Sequence, residues 1–246
     1  MDDINRLKDL ADRSFRNGQY TFTNFLSAGE ITIFKEHENE LGYAHPELYG
    51  GYEGAERRMI RFGNEEDLGF QQPFPISILS VKPVMSKFAD DLNHRDFLGA
   101  LMNLGIKREM LGDILVTGKE ACVFCKDSIA DYIIENLSRV KHTSVKISIT
   151  DELGDIFLPD KKEKMIQVSS PRIDAVAAKV FNLSRQGMLE LFPAGYVQLN
   201  GIICTENAKV LNPGDKVSAR GHGKFDFAEQ LGLSKKGKLN CKVLIY

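Results

Sequence analysis

Cysteine is scarce, with four residues in a chain of 246. Cys122 and Cys125 have the spacing of a redox or zinc pair, but Ala121–Cys125 reads as a strand, which turns residues three apart to opposite faces. Cys204 and Cys241 stand alone, so no second pair completes a four-thiolate site. Buried, reduced thiols in a reducing cytoplasm are expected. The five histidines (His37, His45, His94, His142, His222) show no ligand spacing, and neither a metal nor a cofactor is expected. No apolar run approaches membrane-spanning length, and the first residues, Met1-Asp-Asp-Ile-Asn-Arg6, carry no apolar signal core. A cytoplasmic protein with no membrane partner is the expectation.

Catalytic signatures are lacking as well. The glycine-rich stretch Leu48–Arg58 matches no phosphate-binding loop and reads as a tight strand-to-strand connection. His94-Arg95-Asp96 spells the kinase catalytic tripeptide without the glycine-rich loop, strand lysine or Asp-Phe-Gly that would make it one. Met85-Ser86-Lys87 resembles the signature loop of class I tRNA synthetases, but no nucleotide-binding half precedes it. A non-enzyme is expected.

What is present is a concealed charge asymmetry. The net charge is −2, yet residues 171–246 hold eleven Lys and Arg against six Asp and Glu. That balance of +5 leaves −7 on residues 1–170. A basic end on an acidic body points to a polyanionic partner for one domain. With 43% hydrophobic and 27% charged residues the chain is globular, and its length accommodates two to three domains.

An α+β fold is expected. Residues 1–72 form an α-rich N-terminal α/β region with helices over 3–15 and 24–37. Residues 73–150 alternate as β-α-β-β-α-β, a ferredoxin-like (RRM-like) order. They lack the basic-aromatic signature with which such a sheet stacks bases, since Ala121–Cys125 offers only Phe124. A spacer or a ribosome-contacting surface is the reading for this domain. Residues 151–170 read as a linker, most solvent-like over 159–164, with 165–168 as an optional edge strand.

Residues 171–246 give two helices and a small sheet. Ser170-Pro171 reads as the start of the first helix, whose Ile173, Val176, Ala177, Val180 and Phe181 bury, leaving Arg172, Ala175 and Lys179 outward. Ser184 caps the second, with Leu183 and Met188 as a hydrophobic staple and Arg185 and Gln186 in its first turn, where free N–H groups favour a phosphate. Asn200-Gly201 is a hairpin signal, and Gly221–Phe225 reads as a flexible basic corner.

The order Arg172-Ile-Asp174, Leu183-Ser-Arg185, Gly195-x-Val197-x-Leu199-Asn200-Gly201 and Val210-x-x-x-Gly214-Asp215 resembles the S4 RNA-binding domain. The resemblance implies that Arg172, Lys179, Ser184, Arg185 and Gln186 face RNA, with Lys209, Lys216, Arg220 and Lys224 as weaker candidates. Lys235, Lys236 and Lys238 read as solvated charges. Gly50-Gly-Tyr-Glu-Gly-Ala-Glu-Arg57, His94-Arg-Asp-Phe-Leu-Gly-Ala-Leu101, Leu104-Gly-Ile-Lys-Arg108 and Gly112-Asp-Ile114, followed by the S4-like region, extend the resemblance to the YlmH family of bacterial RNA-binding proteins. That family implies binding to large-subunit ribosomal RNA, with transfer RNA as a second candidate, in the rescue of stalled nascent chains, and carries a link to cell division; a monomer is expected. Alternative readings are an RNA-modifying enzyme such as a pseudouridine synthase, with Asp174 as its catalytic carboxylate, or a division-linked interaction protein.

Overall fold

A computed structural model describes residues 2–151, 161–234 and 237–246. The chain is mixed α and β and divides into two compact units, 1–158 and 159–246. Among the described residues no helix is long and apolar enough to cross a membrane. Residues 152–160 of the expected linker, and Lys235 and Lys236, lie outside the described residues.

The first unit begins with α1 (Asp2–Asn17), β1 (Thr21–Phe22), α2 (Ala28–Glu36), α3 (Glu38–Leu41), β2 (Glu47–Tyr49), β3 (Met59–Phe62) and α4 (Glu65–Leu68). The strands pair antiparallel in the order β1-β3-β2. α2 starts four residues later than the expected position 24. Phe25 N–H donates to Glu109 O and Leu26 bridges Arg58, which hold this stretch extended. Ser27 and Glu30 then close a capping box. Leu7, Ala11, Ile31, Phe34, Ile60 and Phe62 form the core beneath these elements.

The chain continues with β4 (Ile76–Pro83), α5 (His94–Asn103), β5 (Leu111–Thr117), β6 (Glu120–Lys126), α6 (Asp127–Asn136), β7 (Arg139–Val140) and β8 (Thr143–Thr150). The sheet order is β5-β6-β4-β8-β7, antiparallel throughout. α5 and α6 bury Phe97, Leu101 and Ile133 against Leu79, Val81, Val123 and Cys125 on one face. On the other, Phe124 is fully buried with Phe25 and Met59, and Tyr52 lies 5.1 Å from its ring. Residues 22–59 therefore cover the sheet face on which base stacking would require exposed aromatics. Regions 1–72 and 73–150, read as separate domains, pack as one unit.

The glycine-rich stretch is indeed the β2–β3 connection, and its glycines are there to fit. A Cβ on Gly51, at φ +100°, would sit 2.4 Å from Phe124 Cδ1, and one on Gly112 would sit 2.7 Å from Phe25. Gly51→Ala combines overpacking with left-handed strain and is expected to cost about 2–4 kcal/mol. Urea unfolding of the full chain measures it; an unshifted midpoint would mean the loop does not pack as described.

The second unit contains β9 (Lys162–Val168), α7 (Ile173–Val180), α8 (Arg185–Glu190), β10 (Val197–Leu199), β11 (Ile202–Ile203), β12 (Lys216–Ala219), β13 (Gly223–Leu233) and β14 (Leu239–Ile245). Its sheet runs β11-β10-β12-β13-β14-β9. β9 corrects the linker reading over 162–168, extending the edge strand expected at 165–168 to the whole of that stretch. It pairs with β14 along its whole length, from Lys162↔Ile245 to Val168↔Leu239, because Ile166 and Val168 are buried. α7 and α8 lie on one sheet face, where Ile173, Val176, Val180, Met188 and Phe192 meet Val217, Phe225, Phe227 and Val243.

Two local expectations change. Ser170-Pro171 does not open α7; the N-cap is Arg172, without a side-chain cap. Leu211 N–H donates to Pro171 O and Arg172 bridges Val210, so that backbone is held extended. The flexible corner at 221–225 is a short turn whose Lys224 and Phe225 already belong to β13. Ser184 does cap α8, accepting from Gly187 N–H at 3.0 Å. Asn200 and Gly201, at φ 52° and 81°, make the hairpin turn.

All four cysteines are buried and free, Cys125 in the helix-side core and Cys122 one face away. Burial pushes the Cys125 thiol up to about 12. Among the described residues no cluster of His, Cys, Asp and Glu is arranged to hold a metal.

Candidate nucleic-acid interface

Asp174 is the anchor of the second unit's helical side. It sits in the first turn of α7, where a carboxylate is favoured by the helix dipole, and its side chain is about 1% exposed. Arg172 Nε and Nη2 donate to its two oxygens at 3.1 and 2.9 Å, and Arg185 Nη2 donates at 3.2 Å. Burial alone raises the Asp174 pKa. Hydrogen bonds and charge from Arg172 and Arg185 outweigh it and hold the carboxyl below its ordinary value.

This arrangement leaves donors to spare. One carboxylate orients two guanidiniums, each with N–H groups left over, and the Arg185 side chain is 62% exposed. Arg185 and Lys179 border a groove of about 320 Å³ between α7, the start of α8 and the end of β9. Val168, Ala178 and Leu183 line it, and Lys238 closes it. Gln186 and Ser184 are exposed at the head of α8. Lys209 is exposed on the loop that docks on α7, its carbonyl accepting from Ile173 N–H at 2.8 Å.

Lys238 was read as a solvated charge and instead belongs to this groove. Ser234 N–H donates to Lys238 O and Lys238 N–H to Ser234 Oγ, which ties Lys238 to the end of β13 just before β14 begins. There Leu239 pairs with Val168 and sets Lys238 beside the groove. No local pattern around Lys238 reveals a strand pairing 70 residues away.

Lys216, Arg220 and Lys224 lie elsewhere. Val217 and Phe225 face the helices, so alternation sends Lys216 and Lys224 to the outer sheet face. Lys224 Nζ is 4.1 Å from the Tyr246 ring centre, Lys161 Nζ 4.7 Å and Lys216 Nζ 6.0 Å. Arg220 stacks over Tyr196 at 5.2 Å. Asp226 accepts from the Tyr246 hydroxyl at 2.9 Å and from Lys161 at 2.8 Å. Burial and Asp226 push the Tyr246 phenol up to about 12 against the pull of Lys161, so it stays a donor. The nine sequence candidates thus fall into a helix-side group and a sheet-side group.

The Asp174 contact carries a pH signature. Its folded pKa lies below the unfolded value of about 3.9, so its stabilisation is complete above that range and is lost as pH falls through the folded value. Asp174→Asn is expected to flatten this acid limb in urea titrations between pH 6 and pH 2.5. A variant that loses stability with acid as steeply as the unchanged chain would assign the effect to other carboxylates.

The fold and this surface define an α+β protein whose basic C-terminal unit presents a cation-lined helical groove. Residues 70–154 match a family model described as "Putative RNA-binding domain in YlmH". The chain is 30% identical over 220 residues to the ribosome-associated protein quality control protein P2 of Bacillus subtilis (strain 168), covering 88% of this chain and 83% of that protein. It therefore belongs to the YlmH family. The structure of the cell division protein ylmH from Streptococcus pneumoniae aligns over 60% of this chain and 88% of its own, with a TM-score of 0.48 and 19% identity.

Proposed function

We propose that this protein is a non-enzymatic RNA-binding factor of ribosome-associated quality control, acting in the cytoplasm as a monomer on large-subunit ribosomal RNA and transfer RNA. The second unit serves as an S4 domain and 73–150 as a ferredoxin-like body. The observation that carries this reading is the pair of guanidiniums held by buried Asp174, of which Arg185 borders the groove with Lys179 and Lys238. Fixed guanidinium forks suit phosphate oxygens, and exposed lysines add charge without demanding a base sequence. The relative's name supports the ribosomal setting, and the family model's description, which covers 70–154 of the first unit, supports RNA as a ligand of the chain.

Asp174 in this reading is a positioning residue. Both of its oxygens are occupied by arginines and it is shut away from solvent, which is unsuited to the nucleophile of a pseudouridine synthase. The test is binding of the full chain to purified large ribosomal subunits across a salt series. Lys179→Gln, Arg185→Gln and Lys238→Gln are combined in one variant, and undiminished binding by it would reject the interface.

A further inference from the structure

The first unit carries a second cation-lined cleft, of about 480 Å³, between α5 and the segment joining α6 to β8. Arg95, Gly99 and Asn103 recur every four residues along one stripe of α5 and form one wall. Ser138, Arg139 and Lys141 form the other. Lys141 is tied to Asp96 at 2.8 Å, and Asp96 is itself occupied in the capping box of α5. Arg95 and Arg139 meet no carboxylate among the described residues, Arg139 donating only to the His142 carbonyl at 3.3 Å. The cleft is therefore net positive.

Gly99 is the independent observation. Glycine is the poorest helix former after proline, yet it sits in the middle of α5 with helical backbone. Nothing lies within 4 Å of where its Cβ would be. Neither a left-handed turn nor internal packing calls for it. What a bare backbone at the floor of a basic cleft admits is close approach by something from outside.

We infer that the Arg95–Gly99–Arg139 cleft is a second RNA contact that grips the sugar-phosphate backbone. The lining has no aromatic side chain on which a base or free nucleotide would stack, whereas two arginines, a lysine, two amides and a hydroxyl match phosphate and ribose oxygens. This rests on the RNA-binding reading above and, within the 70–154 region that the family model describes, says which surface makes the contact. The covered sheet face explains why the contact falls on the helical side of this unit.

The test uses the full chain and purified large-subunit ribosomal RNA. Arg95→Gln with Arg139→Gln is expected to weaken binding about tenfold and lower the log–log salt slope by about two. Gly99→Leu, which fills the cleft floor with a better helix former, should weaken binding several-fold while leaving the melting temperature unchanged or higher. Damage to the fold cannot produce that combination. If both variants bind like the unchanged chain while the Lys179, Arg185 and Lys238 variant is weakened, this inference fails and the RNA reading stands. Should the cleft variants alone lose affinity, the cleft is supported and the C-terminal groove is not. Absence of RNA binding by the unchanged chain overturns both, and displacement by inorganic phosphate at matched ionic strength would make the cleft a free-anion site and overturn the RNA assignment.

Discussion

Asp113→Ala is expected to destabilise the first unit by about 3–5 kcal/mol, the largest single loss available outside its apolar core. The carboxylate, nearly buried on β5, accepts from Tyr52 Oη at 2.8 Å, Glu56 N at 2.7 Å and Arg57 N at 3.0 Å. Arg57 reaches back across it, donating to the carbonyls of Leu111, Phe25 and Arg108. Arg108 donates to Leu111 O and Gly112 O. Burial depresses both guanidinium pKa values, that of Arg108 to about 10, with the neighbouring Arg57 charge adding to the effect there. Glu30 and then Asp113 oppose that depression at Arg57, and Asp113 opposes it at Arg108. Its removal takes an acceptor from three donors and leaves Glu30, beside Arg57, as the remaining negative charge acting on two half-buried cations. Urea denaturation gives the loss directly. Arg57→Lys, which keeps the charge but not the fork, should fall between Asp113→Ala and the unchanged chain. A loss below about 1 kcal/mol for Asp113→Ala would show that solvent already satisfies these groups.

That node also accounts for sequence features that had no local explanation. Gly50–Arg57, Leu104–Arg108 and Gly112–Ile114, three of the blocks that carry the family resemblance, converge on it. None is a catalytic signature. Gly51 lets the loop lie on Phe124, Gly112 makes room for Phe25, and Arg57, Arg108 and Asp113 satisfy one another. Legible in the sequence were features with a local cause: helical spacing, the Ser184 cap and the Asn200-Gly201 turn. Features caused by distant partners were not. β9 resembles a linker because an edge strand shows charge on its free side, with only Ile166 and Val168 turned inward. The burial of the central sheet face, and the split of the C-terminal cations between two faces, follow from pairings between segments tens of residues apart.

The split makes the RNA reading testable by contrast. Replacing Lys179, Arg185 and Lys238 by Gln removes three cations from one groove, each sufficient for one phosphate contact. The log–log salt slope for large-subunit binding should then fall by about three, and affinity at physiological salt on the order of thirty- to a thousandfold. Lys216→Gln with Arg220→Gln deletes two cations of the outer sheet face, where each already lies over a tyrosine ring. That pair should shift the slope by less than one, since a cation committed to an aromatic partner must leave it to meet a phosphate. Two controls separate charge from architecture. Arg185→Lys keeps the charge and loses the fork held by Asp174, so it should keep most of the slope while weakening the complex a few-fold. Asp174→Asn removes the anchor and keeps both cations; the slope should hold while affinity drops, because Arg172 and Arg185 then pay an ordering entropy on binding that Asp174 now meets in the free protein. If the outer-face pair costs as much as the groove triple, binding follows net charge alone and the helical groove has no special claim to the RNA.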